Sequence, residues 1–256
     1  MAIVEFERRG PIALITLNRP QIRNAFDAPM AQALGAAVDD LERDDTLRVG
    51  ILRATVTEPR PVFCAGHHLG TIESERDGGP RAETERGGFG GLVRYPRTKP
   101  LIAAVDGLAT SGGLEIVMAC DLVVATERSS FALAEVKWGL VAGAGGLFRL
   151  PWAIGRAAAM DAILTATPVS AQRAYQLGLV STLVPADADA AAIERAELIA
   201  GNGRLAVSAS LRVASQAFSR SEDDLWAENA QAIDMIINSD EMVAGVAAFA
   251  GKSRPA

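Results

Sequence analysis

"LATSGGLEIVMACD", residues 108–121, sets two consecutive glycines and a carboxylate inside an apolar run. Leu114, Ile116, Val117 and Met118 give this run the character of a buried helix, with Gly112 and Gly113 at its first turn. Peptide N–H groups at a helix start have no partner within the helix, so they are free to meet an anion. Glycine also lets another group come close to the backbone there. Glu115 is the harder residue to place. An unpaired carboxylate among apolar side chains is costly, so it needs either a partner or a task.

The flanks of this stretch set the fold class. Upstream, "PLIAAVDG" (100–107) is a short apolar run bounded by Pro and Gly, and reads as a buried strand. Downstream, "DLVVATE" (121–127) and "SSFAL" (129–133) read as two further strands. Earlier in the chain, "IVEFE" and "IALITL" form a hairpin about "RRGP", while "RVGILRAT" and "PVFCAG" are strands. Asp27 and Pro29 suit a helix cap and first turn, and Met30, Leu34, Val38 and Leu41 recur at helical spacing, which predicts a helix over 28–43. Two strands followed by a helix is thus the repeating unit, and each unit ends in a glycine-rich corner.

Two other stretches carry less structure or more helix. Residues 73–91, "ESERDGGPRAETERGGFGG", combine six glycines with many charges and no apolar stripe, and read as a mobile surface loop. Beyond residue 151 helices are expected at 152–165, 170–177 and 188–202, with a strand at "GLVSTLV". Val207, Leu211, Ala214 and Phe218 make one helical stripe, and Trp226, Ala230, Ile233 and Ile237 another. The expected division is therefore a core over 1–195 and a helical region over 196–256.

Composition limits the function classes. The chain has 256 residues, 49% hydrophobic and 22% charged, which is ample for a core without disulfides or a structural metal. A net charge of −6 argues against non-specific nucleic-acid or anionic-membrane binding. Cys64 and Cys120 read as small buried hydrophobes of a reducing compartment. The first twenty residues lack a signal-peptide pattern, and the most apolar span is interrupted by Asp106, Glu115 and Asp121, so a soluble, cytoplasmic protein is expected.

Chemistry is suggested where the glycine corners meet the two glutamates. "FCAGHHLG" (63–70) resembles the 108–121 stretch in placing a glycine, Gly66, where a strand ends. Two such corners, folded together, could aim two N–H groups at one carbonyl oxygen, an oxyanion hole worth roughly 2.7–4 kcal/mol per donor. Tight turns and close packing would explain the same glycines. Glu135, in "FALAEVKWGLVAGAGG" (131–146), raises the question that Glu115 raised. Two glutamates across a pocket could hold a water and exchange protons with a substrate, or both could be structural carboxylates.

At these residues the chain resembles the crotonase superfamily, and most of all its enoyl-CoA hydratases. The likeness rests on Phe63 to Leu69, on Ser111 to Ile116 with Cys120 and Asp121, on Phe131 to Glu135 with Gly139 to Gly146, on "LNRPQIRNAF", and on the register of "AAAMDAILTATPVSAQRAYQLGLVSTLVP". It spans nearly the whole chain in the right order. The resemblance implies an α/β fold, a spiral of ββα turns followed by a helical trimerisation region, with trimers often paired into hexamers. It implies an acyl-CoA substrate of the kind met in fatty acid metabolism. No metal or redox cofactor is implied, coenzyme A being part of the substrate.

Carried over position by position, the resemblance gives the backbone N–H groups of His67 and Gly112 as the oxyanion hole, and Glu115 and Glu135 as the glutamates that hold and activate water. Arg23, Asn24, Ala25, Ala65, Gly66 and His68 would line the coenzyme A and substrate path. Departures from the family pattern are His68, where an Asp is usual, and Ala134, where a proline is usual. His68 could influence acyl-chain choice or local charge; adjacent histidines with no matching cluster are poor metal ligands. Lys252 or Arg254 could reach a coenzyme A phosphate. Besides hydration, isomerisation or dehydration of a hydroxyacyl-CoA, or non-catalytic acyl-CoA binding, would fit the same motifs.

Overall fold

The computed structural model describes residues 2–251, so Lys252 and Arg254 lie outside the described residues. The chain opens with the expected hairpin, β1 (Val4–Arg9) antiparallel to β2 (Ile12–Leu17). Helix α1 (Ala28–Arg43) follows, and the Asp27 side chain accepts the Met30 N–H at 3.0 Å, capping it. Met30, Leu34, Val38 and Leu41 are all fully buried on its inner face. The chain continues through β3 (Val49–Ala54), β4 (Val62–Cys64), the short α2 (Ile72–Arg76), β5 (Glu83–Thr84) and β6 (Gly88–Phe89). Then come β7 (Leu101–Val105), β8 (Leu108–Thr110), α3 (Gly112–Val117), β9 (Leu122–Thr126) and β10 (Ser130–Ala132).

After the opening hairpin, which lies wholly in the larger sheet, each unit gives one strand to each of two sheets. The larger sheet runs β1-β2-β3-β7-β9, closed at its far edge by β12 (Thr182–Val184), and is parallel beyond the hairpin. The smaller sheet places β4, β8 and β10 side by side and parallel, with β11 (Val169–Ser170) antiparallel at the edge. The two short strands of each unit therefore stack on their counterparts from the units before and after, which makes the chain a spiral of ββα turns. It is the fold class expected from the sequence. The arrangement has a functional consequence: the carboxyl ends of β4, β8 and β10 share one edge, where open parallel sheets commonly bind ligands.

Helices α4 (Gly146–Ile154), α5 (Arg156–Thr165), α6 (Ala171–Leu177) and α7 (Ala188–Ala200) cover this core. The single helix expected over 152–165 is two, because Gly155 breaks the run, and α4 begins earlier, at Gly146. The division expected at 195/196 falls inside α7. Ala188, Ala192 and Ala196 on that helix pack against Ile12, Ile51, Ile102 and Val124 of the larger sheet, so α7 belongs to the core. The change of packing comes at Gly201–Gly203, after which α8 (Arg204–Ala214), α9 (Glu222–Ile237) and α10 (Asp240–Ala250) bury little but Ala209 and Ala232.

Segment 73–91 is folded rather than a loose loop. It contains most of α2 and a two-stranded ladder pairing Glu83 with Phe89 and Thr84 with Gly88. A side chain at Gly91 would come within 2.4 Å of the Ala31 carbonyl oxygen, and one at Gly90 within 2.5 Å of Ile116. The backbone itself lies on α1 and α3, so the contact leaves no apolar stripe in the sequence. Cys64 is buried and Cys120 half-buried, and burial pushes both thiols up to about 12. Among the described residues no helix is long and apolar enough to cross a membrane, and no His, Cys, Asp or Glu cluster could hold a metal ion.

Candidate active site

The site grows from the ends of three neighbouring strands. His67 follows β4, Gly112 follows β8 and Glu135 follows β10, and the register pairs Cys64 with Ala109 and Thr110 with Ala132. These corners line one cavity of about 850 Å³, together with Ala65, Ser111 and Glu115.

The two glycine corners touch. A Cβ on Gly66 would lie 2.7 Å from the Gly112 nitrogen, and a Cβ on Gly113 would lie 2.3 Å from the Cys64 carbonyl oxygen. Side chains there would drive β4 and the start of α3 apart. Gly66 also has φ +89, which an L-residue holds only under strain. Ser111 turns the chain at φ 53 between β8 and α3.

Both expected donors are unpaired. Around His67 the chain makes a parallel bridge to Phe26, using the Gly66 carbonyl (2.7 Å from Phe26 N) and the His68 N–H (2.8 Å to Phe26 O). Those bonds use the flanking peptide groups, so the His67 N–H itself turns to the other side. Gly112 is the first residue of α3 and has no intrahelical acceptor. Among the described residues neither N–H has an acceptor. The corners therefore present two adjacent donors, the arrangement that stabilises a carbonyl oxygen gaining negative charge.

Glu115 and Glu135 are 3% and 9% exposed, and their supports differ. Glu115 Oε1 accepts from the N–H groups of Ala144 (2.7 Å) and Gly146 (2.8 Å), where the corner leading into α4 wraps the carboxylate. A side chain at Gly146 would lie 3.1 Å from that oxygen and 3.0 Å from Leu133, so the Glu115 carboxylate or the Leu133 side chain would have to give way. Glu135 sits on a short 3-10 turn, and its Oε2 is buried with no hydrogen-bond partner among the described residues. Burial pushes both carboxyls above the ordinary glutamate range. For Glu115 the Gly146 N–H opposes the shift, Glu135 adds to it, and the Ala144 N–H and Arg149 oppose it. For Glu135 its own backbone N–H and Ser111 oppose it.

The remaining expected residues divide. Ala65 lines the cavity, whereas Arg23, Ala25 and Gly66 do not; the Ala65 N–H donates to the carbonyl of the exposed Arg23 at 3.0 Å. Ala25 is buried next to it. Asn24 corrects the expectation: its side chain is wholly buried and spent on the fold. Its Oδ1 accepts from Arg19 N at 2.8 Å, and its Nδ2 donates to the carbonyls of Thr55 and Phe63 at 2.9 Å each. His68 is a second correction, because its ring packs over Gly70 with Nδ1 buried, and it is not among the residues lining the cavity. Ala134, at φ −97, stands outside the range a proline ring would hold.

The histidine that does face the cavity is His67. Its Nε2 lies 2.8 Å from Glu75 Oε1, and its ring meets Phe89 edge-on at 6.0 Å. Glu75, Phe89, Ala144 and Arg149 were not singled out by the sequence. Glu75 and Phe89 were hidden in a stretch without an apolar stripe. Thr71 and Glu75, four residues apart, were the available hint of a helical turn.

Known proteins resemble the chain throughout its length. A family model described as enoyl-CoA hydratase/isomerase matches residues 7–256. An enoyl-CoA hydratase of Mycobacterium tuberculosis, EchA19, is 35% identical over 97% of this chain and 94% of its own. A carnitinyl-CoA dehydratase of Salmonella arizonae is 33% identical over 97% of this chain and 95% of its own. The crystal structure of an enoyl-CoA hydratase from Mycobacterium tuberculosis H37Rv superposes with a TM-score of 0.92 at 41% identity, covering 100% of this chain and 98% of that one.

Proposed function

The chain belongs to the enoyl-CoA hydratase/isomerase family as a crotonase-type enzyme, and from that premise we propose that it adds water across the double bond of a 2-enoyl-CoA thioester to give a 3-hydroxyacyl-CoA. The observation that carries this reading is the pairing of two buried carboxylates with two adjacent unpaired N–H groups in one cavity.

The chemistry follows from those groups. A 2-enoyl thioester accepts a nucleophile at Cβ only if its carbonyl oxygen can take up negative charge. The N–H groups of His67 and Gly112 stabilise that charge as it grows, which favours the transition state over the bound substrate. Glu115, gripped on Oε1 by two N–H groups, is the better-stabilised anion, and it takes the proton of the attacking water. Glu135, with Oε2 unpartnered, favours the neutral carboxyl, and it delivers the proton to Cα. Run in reverse, the same site removes water from a 3-hydroxyacyl-CoA, the direction named for the Salmonella relative.

Coenzyme A would leave the cavity past Ala65, Gly66 and the Arg23–Ala25 backbone, with Arg23 supplying charge at the mouth. A homotrimer, or a pair of trimers, would cover the apolar C-terminal surface. Phe218, Trp226, Ile233 and Phe249 are 70%, 64%, 53% and 86% exposed in the single chain, more apolar surface than a monomer usually leaves open.

Crotonyl-CoA turnover tests the reading, followed as loss of the conjugated-thioester absorbance. Glu115→Gln and Glu135→Gln should each lose at least about 10²-fold in kcat, as for general acid–base groups. Isomerisation would need one carboxylate, so full turnover by Glu115→Gln would replace hydration with that reaction. Binding without turnover by the unmodified chain would overturn the enzymatic reading.

A further inference from the structure

The cavity holds a polar pair that hydration does not use. His67 supplies its peptide N–H to the proposed oxyanion hole, but its imidazole also borders the cavity and is 32% exposed. Nε2 lies 2.8 Å from Glu75 Oε1, and the Thr71 hydroxyl lies 2.8 Å from the same oxygen. The Glu75 side chain is only 11% exposed. An ionised carboxylate can only accept, so Glu75 holds the Nε2–H and fixes the ring's orientation. The other nitrogen, Nδ1, makes no hydrogen bond among the described residues and is not one of the buried unpaired atoms. Phe89 braces the ring edge-on at 6.0 Å and itself lies so close to Gly112 that a Cβ there would meet it at 2.6 Å. The imidazole is therefore pinned beside the oxyanion corner, with Nδ1 free of protein partners among the described residues.

We propose that His67 and Glu75 form a specificity-determining station for a hydroxyl group on the acyl chain, so that the preferred substrates are hydroxylated 2-enoyl-CoA thioesters. The proposal rests on the acyl-CoA reading of the cavity. A plain alkyl chain lying against the ring would displace water from Nδ1 and leave it unpaired. A hydroxyl meets Nδ1 whether the ring is neutral or protonated, because it both donates and accepts; a carbonyl or an ammonium could meet only one of the two forms. Because the imidazole and the oxyanion N–H belong to one residue, the hydroxyl it recognises lies on carbons near the thioester rather than at the end of a long chain. A site built to hydrogen-bond a hydroxyl discriminates against the analogue that lacks it.

The test compares crotonyl-CoA with 4-hydroxycrotonyl-CoA in turnover, and butanoyl-CoA with 4-hydroxybutanoyl-CoA in calorimetric binding. The unmodified enzyme should favour the hydroxylated member of each pair by about tenfold, the worth of one hydrogen bond to a group otherwise left bare. His67→Ala keeps the peptide N–H and should bring both ratios close to one. Glu75→Ala, which unpins the ring, should lower both ratios. Equal ratios in the unmodified enzyme and in His67→Ala, or a preference for the unsubstituted chain, would overturn the proposal. If neither thioester is hydrated, the hydration reading fails and the binding ratio alone decides the station. Should His67→Ala not fold, the Glu75→Ala ratios decide it.

Discussion

Replacing Gly66 with alanine should damage stability and chemistry together, through one contact. Gly66 holds φ +89, and forcing an L-residue into that region costs about 1–2 kcal/mol. The new Cβ would also stand 2.7 Å from the Gly112 nitrogen and 2.9 Å from the Thr110 oxygen. Both are backbone atoms of the neighbouring corner, so the corner must move, at a further cost of about 1–3 kcal/mol. The expected loss is about 2–5 kcal/mol. Moving Gly112 also misaims one of the two N–H donors, and loss of one such donor lowers kcat by about 10²–10³. Gly78→Ala is the matched control, with φ +93 and nothing within 4 Å of its added Cβ. It carries the backbone strain alone, about 1–2 kcal/mol. Urea denaturation gives the stability of each variant, and crotonyl-CoA turnover of the folded protein gives the rate. If Gly66→Ala is no less stable and no slower than Gly78→Ala, the two corners do not build an oxyanion hole in the way described.

Other outcomes follow from the same geometry. Asn24→Ala should cost about 2–4 kcal/mol in urea denaturation, since it leaves the buried Phe63 carbonyl, the part-buried Thr55 carbonyl and the Arg19 N–H short of partners; a variant of native stability with only a raised KM would make Asn24 a ligand-binding residue after all. Asp121→Ala removes both bonds to Arg97 (2.6 and 3.0 Å) and the acceptor for Leu101 N, and should cost about 1–3 kcal/mol by the same assay. Burial raises the Glu135 carboxyl, so the folded chain holds that proton to higher pH than the unfolded chain, and stability falls as pH rises from 4.5 through the folded value. Glu135→Gln should therefore raise Tm at pH 7, with the gain vanishing as pH approaches 4.5; a gain that persists at acid pH would assign the effect to something other than ionisation. In kcat against pH, the acid limb should lie above the ordinary glutamate range, because Glu115 must lose its proton and burial raises that group too.

The ββα order was legible because each element carries its own period. Helix α1 spans the residues its cap and apolar spacing assign to it, and the Pro- and Gly-bounded apolar runs at 61–66 and 100–107 hold the strands β4 and β7. Glu115 was legible as an anomaly: a carboxylate in an apolar run. What held it was not, because its partners are backbone N–H groups thirty residues away, and backbone groups leave no mark on composition. Segment 73–91 was misread for the same reason, since its glycines pack main chain on helix α1 where side chains would be expected. Of the two adjacent histidines, the sequence drew attention to His68 as the departure from the family pattern. Only the parallel bridge to Phe26, with Glu75 and Phe89 closing on the neighbouring ring, distinguishes the histidine beside the cavity from the one packed under its own loop.

The most direct test is a single reaction of crotonyl-CoA in ²H₂O enriched in H₂¹⁸O, with the product analysed by mass spectrometry. Hydration at this site predicts 3-hydroxybutanoyl-CoA bearing one ¹⁸O at Cβ and one deuterium at Cα, both lost with Glu115→Gln and Glu135→Gln. Deuterium uptake without ¹⁸O would show that the two carboxylates move protons but add no water, and would contradict the account.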